Sequence, residues 1–178
     1  MRGETLLKKV RRKYSDFGSF AVWGKECNDL GIFDRKKKFL HTNSVVVGLN
    51  ISDKIKLLEN FHKTRFDRRL ARLLAGTKHE GGYMTDLIKM ATPKAKEAKQ
   101  RANIEAKKKI EKEMKTLGIN GETSFLILGN IAWKIFTDWF PKKFPKRKRL
   151  MHPSYRFVSG EKWHRHNKKI LGYIPKSS

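Results

Sequence analysis

The sequence predicts an α/β fold with a largely parallel sheet, and three observations carry that prediction. Short β-rich runs at residues 44–49 (SVVVGL), 82–88 (GYMTDLI) and 125–128 (FLIL) are each followed by helical patterning or turn signals, the rhythm of strands joined through helices. Between them, apolar residues recur at helical spacing. At 178 residues the chain fits one domain, long enough to bury a core around a central sheet.

In chain order, residues 20–23 read as an edge strand and residues 44–49 as the first central one. Residues 67–75 (DRRLARLLA) form a helix with Leu70, Leu73 and Leu74 inward and the arginines outward, ended by Gly76. After the strand at 82–88, Ala95, Ala98, Ala102, Ala106, Ile110, Met114 and Leu117 recur at steps of three or four. That spacing predicts one long amphipathic helix stopped by Gly118, its lysines forming a solvated face. Strand 125–128 leads into a helix at 131–139, closed by Pro141. A strand at 149–151 is short, and a helix at 161–171, closed by Gly172, ends the pattern. No repeat or low-complexity linker divides the chain.

Charge narrows the partner. Lys and Arg number 42 against 17 Asp and Glu, a formal charge of +25 spread from Arg2 to Lys176. Such a field favours a polyanion, and nucleic acid is the first candidate because each neutralised phosphate releases counterions. A membrane is disfavoured: no stretch approaches the roughly 20 apolar residues of a spanning helix, and no apolar signal segment follows the basic start. A cytoplasmic protein is expected, and nothing demands more than a monomer. Cys27 is the sole cysteine, so neither an intramolecular disulfide nor a cysteine-ligated metal centre can be built. His164 and His166 sit in a basic segment with no carboxylate closer than Glu161 and read as part of a solvated, phosphate-facing helix; no metal or cofactor is expected.

Two motifs carry chemistry. The run VVVGLN places Gly48, Leu49 and Asn50 at a strand end, where open α/β sheets bind ligands; alone it reads equally as a strand exit with Asn50 capping a helix. The run Met151-His152-Pro153-Ser154-Tyr155-Arg156 follows a stretch, residues 142–149, in which six of eight residues are basic. A strand ending in G-L-N followed by one ending in H-P-S resembles the paired active-site motifs of the uracil-DNA glycosylase superfamily. Tyr83-Met84-Thr85-Asp86 is similar to that family's base-reading strand, and Phe125-Leu126-Ile127-Leu128-Gly129-Asn130-Ile131-Ala132 to its apolar strand and helix start. The resemblance covers about residues 44–156, leaving 1–43 as an N-terminal extension and 157–178 as a C-terminal helical segment of the same single domain.

The resemblance implies a three-layer α/β/α fold with a central, mainly parallel four-stranded sheet, and a DNA glycosylase acting on a flipped-out base. Asn50 would hold the attacking water through its amide, too weak a base to deprotonate it, as suits a dissociative transition state. His152 would donate to the base O2 as negative charge accumulates there. An aromatic must stack on the flipped base; Phe66 best matches the family spacing and Phe61 is the alternative. Ser154, Tyr155 and Arg156, with Arg147 and Lys148, would meet the DNA.

Two departures from the family bear on the base. The uracil-reading Asn is replaced by Asp86, and a carboxylate accepts from the cytosine N4 amino group whereas an ionised one faces uracil O4 with like charge. Cytosine N3 is then satisfied if Asp86 or the ring is protonated. Ser52 stands where strict uracil enzymes carry a bulky Tyr against base C5, leaving room for a substituent. Both changes point to a modified cytosine, such as the glucosylated 5-hydroxymethylcytosine of some phage DNA, and hence to antiphage defence. A uracil or mismatch glycosylase in base-excision repair is the alternative, and a noncatalytic basic nucleic-acid-binding protein the third reading.

Overall fold

The computed structural model describes residues 3–64 and 66–172. Strands β1 (Ser19–Phe20), β2 (His41–Gly48), β3 (Gly82–Asp86), β4 (Ser124–Leu128) and β5 (Arg147–Leu150) form one sheet in the order β1-β3-β2-β4-β5. Neighbours β3, β2, β4 and β5 are parallel, and β1 runs antiparallel to β3 at the edge. The four expected parallel strands are therefore joined by a fifth. β3 stops at Asp86, two residues short of the predicted run, because the Leu87 and Ile88 amides turn to the carbonyls of Gly48 and Leu49 beyond the ladder.

Side-chain alternation along the strands builds two cores. Val45, Val47, Tyr83, Phe125 and Ile127 pack with Leu6 and Val10 of α1 (Gly3–Lys13), Ile110 and Met114 of α5 (Ile104–Thr116) and Phe136 of α6 (Asn130–Trp139). Val46, Met84, Leu126, Leu128 and Leu150 face the other way, onto Leu70, Leu73 and Leu74 of α3 (Asp67–Leu74) and Trp163 and Leu171 of α7 (Gly160–Leu171). The result is a three-layer α/β/α sandwich.

Residues 3–43 are no appendage. Leu6, Leu7 and Val10 are buried in the first core, and β1 completes the sheet. Between them and β2 lie α2 (Ile32–Arg35) and a short 3₁₀ turn at Lys37–Phe39. The single long helix expected from alanine and leucine spacing is two helices, α4 (Ala95–Gln100) and α5. Asn103 takes extended backbone and its side chain accepts from the Ala106 amide, so a capping residue restarts the helix inside an unbroken apolar pattern. The C-terminal helix is α7, which Ser159 caps; residues 173–178 of that segment lie outside the described residues. No helix among the described residues is long and apolar enough to cross a membrane.

The chain steps from β2 to β3 on one side, then returns across β2 to β4 and β5 on the other. That reversal opens a crevice at the carboxyl ends of β2 and β4, where ligands bind in open α/β sheets.

Candidate active site

Both halves of the paired motif reach this crevice. Asn50 follows β2 and His152 follows β5; together with Ser52, Pro93 and Ser154 they line two adjoining cavities of about 310 and 390 Å³. The first continues over Gly129 and Asn130 at the start of α6. The second continues over Asn60, Phe61, Phe66, Asp67 and Arg156. The segment after β2 is pinned by the Ile88 and Thr92 amides, which donate to the carbonyls of Leu49 and Ile51.

Asn50 is held in one orientation. Its Nδ2 donates to the carbonyls of Ile51 and Thr92, each at 2.7 Å, which spends both amide hydrogens on backbone. Oδ1 is left as the group that can accept from a water or a ribose hydroxyl.

His152 is likewise fixed by its neighbours. The Ser154 amide donates to Nδ1 at 3.2 Å, and the Ser154 hydroxyl lies 2.7 Å from the same nitrogen. Nδ1 is thus the acceptor, and the hydrogen-bond network assigns the ring proton to Nε2. Burial lowers the pKa of His152, so at neutral pH the ring is an uncharged Nε2–H donor. Gly129, at φ +86°, turns the chain beside His152 in a conformation that side chains rarely adopt; a Cβ there would make only ordinary contact, 3.4 Å from the His152 Cβ.

The loop carrying His152 is held from behind by the second core. Trp163 Nε1 donates to the carbonyls of Met151 (3.1 Å) and His152 (3.0 Å), and Asn167 Oδ1 accepts from the Met151 amide at 2.8 Å. From α3, Arg69 donates to the carbonyls of Pro153 and Tyr155.

Asp86, at the end of β3, pairs in register with Gly48 and lies beneath the cavity with 1 % exposure. Its Oδ2 accepts from Asn60 Nδ2 at 2.8 Å. Its Oδ1 occupies the space over Gly48, where a Cβ would fall 2.2 Å from it and 2.9 Å from Phe61 Cζ. Gly48 is therefore the residue that lets carboxyl and ring share one slot. Desolvation raises the Asp86 pKa to about 7, against the opposing pull of Lys89 and the Asn60 hydrogen bond. Phe61 covers the carboxyl from a left-handed backbone (φ 61°), its carbonyl accepting from Trp23 Nε1.

The remaining sequence candidates fall in three places. Ser52, Phe61, Phe66, Ser154 and Arg156 line the cavity with Asn50 and His152, the Ser154 hydroxyl lying against His152 Nδ1. Tyr155 projects from the loop beside Phe157, ring centroids 5.4 Å apart. Arg147 and Lys148 lie on β5 itself, away from the cavity, and the Arg147 guanidinium donates to the carbonyls of Phe140 and Pro141. Its basic run builds an edge strand. The sequence reading missed Asn60, Trp163, Asn167 and Arg69, which act through a partner's orientation, and Phe157, an aromatic 87 % exposed.

On the opposite face of the sheet, Glu113 is buried among three donors. Lys89 Nζ lies 2.7 Å from Oε2, while the Tyr83 hydroxyl and Thr85 Oγ1 donate to Oε1 at 3.0 and 2.6 Å. This cluster joins α5 to β3 outside the candidate site. No protein-family model matches the chain, and no curated protein sequence matches it.

Proposed function

We propose that the chain is a monofunctional DNA glycosylase that flips out and excises a modified cytosine, leaving an abasic site. The observation that carries the reading is the convergence of Asn50 and His152, about a hundred residues apart in sequence, on one cavity with complementary free groups. Cleaving an N-glycosidic bond develops positive charge on the sugar and negative charge on the departing base. Asn50 Oδ1 offers an acceptor that can orient a water without deprotonating it; His152 Nε2–H offers an uncharged donor to the base oxygen, a role elsewhere worth roughly 3–4 kcal/mol. Phe66 supplies a face for stacking, and exposed Tyr155 and Phe157 supply aromatics to fill the vacated stack.

Asp86 supports the cytosine assignment. A neutral carboxylic acid presents one acceptor and one donor, matching the N4 amino group and N3 of cytosine; its raised pKa makes that form available at neutral pH. Ser52 leaves space for a C5 substituent such as a glucosylated hydroxymethyl group, and antiphage defence is the biological role consistent with that substrate.

An abasic-site assay on oligonucleotides carrying uracil, cytosine, 5-hydroxymethylcytosine or its glucosylated form tests this. Excision of the modified cytosine, lost in Asn50→Ala and His152→Ala, is expected. Excision of uracil alone would assign the chain to base-excision repair. Salt-sensitive DNA binding without excision of any base would leave only a binding protein.

A further inference from the structure

A second cleft, of about 710 Å³, lies between α3 and α7 on the same face of the sheet as the candidate site. Arg68, Arg69 and Arg72 of α3 form one wall, and Ser159, Gly160, Glu161 and His164 of α7 form the other, over buried Trp163. We propose that this cleft is a phosphodiester-binding site that seats a DNA backbone beside the candidate base cavity, an assignment that rests on DNA being the bound partner.

Four features support an anion there. Arg72 has no ion-pair or hydrogen-bond partner among the described residues, and Arg68 is met only by exposed Glu26 at 3.2 Å. Lys168 and Arg72 add to the burial that lowers the pKa of His164, so the local potential is positive even where neutral groups line the wall. The α7 helix opens into the cleft at its amino end. Ser159 caps the Lys162 amide, whereas the amides of Gly160 and Glu161 have no acceptor among the described residues. Glu161 is the one carboxylate in the lining, and it makes no ion pair with the arginines.

The cleft backs onto the catalytic loop. Arg69 lies 5.9 Å from the Trp163 ring and 5.6 Å from the Phe66 ring, while its guanidinium donates to Pro153 and Tyr155. Trp163 donates to the carbonyl of His152 itself. A strand lying in the cleft would thus rest against the two side chains that position His152, next to the cavity that takes the base.

The test is the salt dependence of binding to an unmodified duplex, measured by fluorescence anisotropy on the full chain. Arg68→Gln/Arg72→Gln removes two charges from the cleft; Lys108→Gln/Lys115→Gln removes two from α5, on the opposite face. Loss of two phosphate contacts should flatten the slope of log K against log salt by about 1.8 and weaken binding about thirty-fold at 0.15 M salt, at 0.9 per contact. The α5 pair should leave the slope at the wild-type value. A wild-type slope in the cleft variant, or an equal loss in the α5 variant, overturns the proposal. Because the readout is binding to unmodified DNA, a protein that excises no base sinks the glycosylase reading without touching this one. Base excision together with an unaltered slope in the cleft variant sinks this one alone.

Discussion

Asp86→Asn separates the carboxyl's cost from its use. A pKa raised from 3.8 to about 7 corresponds to about 4 kcal/mol of differential stability between the protonated and ionised forms, at roughly 1.4 kcal/mol per tenfold change. The folded protein holds the proton more tightly than the unfolded chain does. Stability from this group is therefore complete below about pH 4 and is lost as pH rises to about 7, where the buried carboxyl finally ionises. Asparagine keeps an acceptor for Asn60 and carries no ionisable group. The variant should gain on the wild type from about pH 4 upward, the difference approaching about 4 kcal/mol and levelling above pH 7, by urea denaturation at a series of pH values. Excision should change in the opposite sense. Wild-type activity on a cytosine-type base should decline as pH passes 7 and the donor proton is lost, and the variant should lose that limb while shifting toward uracil. A stability difference independent of pH would refute the buried-acid argument, and an unshifted base preference would refute the base-reading role.

Gly48→Ala places a Cβ against Asp86 Oδ1 and Phe61 Cζ; overpacking of about 1–3 kcal/mol and loss of excision are expected, read by thermal melting and the abasic-site assay. Glu113→Ala leaves Lys89 buried without its partner and should destabilise the fold by about 3–5 kcal/mol in urea, because an uncompensated buried charge remains. Trp163→Phe keeps most of the packing but removes the donor to Met151 and His152. It should cost about 1–3 kcal/mol in a melt and lower kcat with KM little changed, since the imidazole loses its backing.

What the sequence made legible follows from the range of each interaction. Strands β2, β3 and β4 were readable because burial on both faces demands continuous apolar runs, and α3 and α7 because one face of each packs on the sheet. The helix break at Asn103 escaped because apolar spacing continues through it, although Asn is itself a start signal. α1 escaped because its strongly basic outer face masks Leu6, Leu7 and Val10. At the site, Asn50 and His152 stood at strand ends, positions the pattern exposes. Asn60 could not be found that way: its amide donates to Asp86, 26 residues away, and to the Phe17 carbonyl, 43 residues away, and nothing in its local sequence signals pairings made by folding. Arg147 and Lys148 show the converse, since a dense basic run signals charge but not whether it forms a loop or, as here, an edge strand.

The protonation states of His152 and Asp86 are controlled by the same physics with opposite difficulty. In a chain of net charge +25, the surrounding field favours neutral imidazole and ionised carboxyl alike. At His152, burial alone lowers the pKa, so the uncharged donor is the easily held state. At Asp86, burial must overcome the pull of Lys89 and the Asn60 hydrogen bond, helped by the charges of Glu113 and Asp67, while the Phe61 ring shares the space over Gly48 with the carboxyl. Opening the Phe61 cover to water would let Asp86 ionise, whereas a base entering the same slot would replace the ring without rehydrating the carboxyl. The cover therefore favours a flat heterocycle over solvent. Phe61→Ala should accordingly lower the Asp86 pKa and move the alkaline limb of the excision profile to lower pH, with the acid form rescued at pH 5. A variant whose profile keeps the wild-type midpoint would show that something other than the ring keeps the carboxyl protonated.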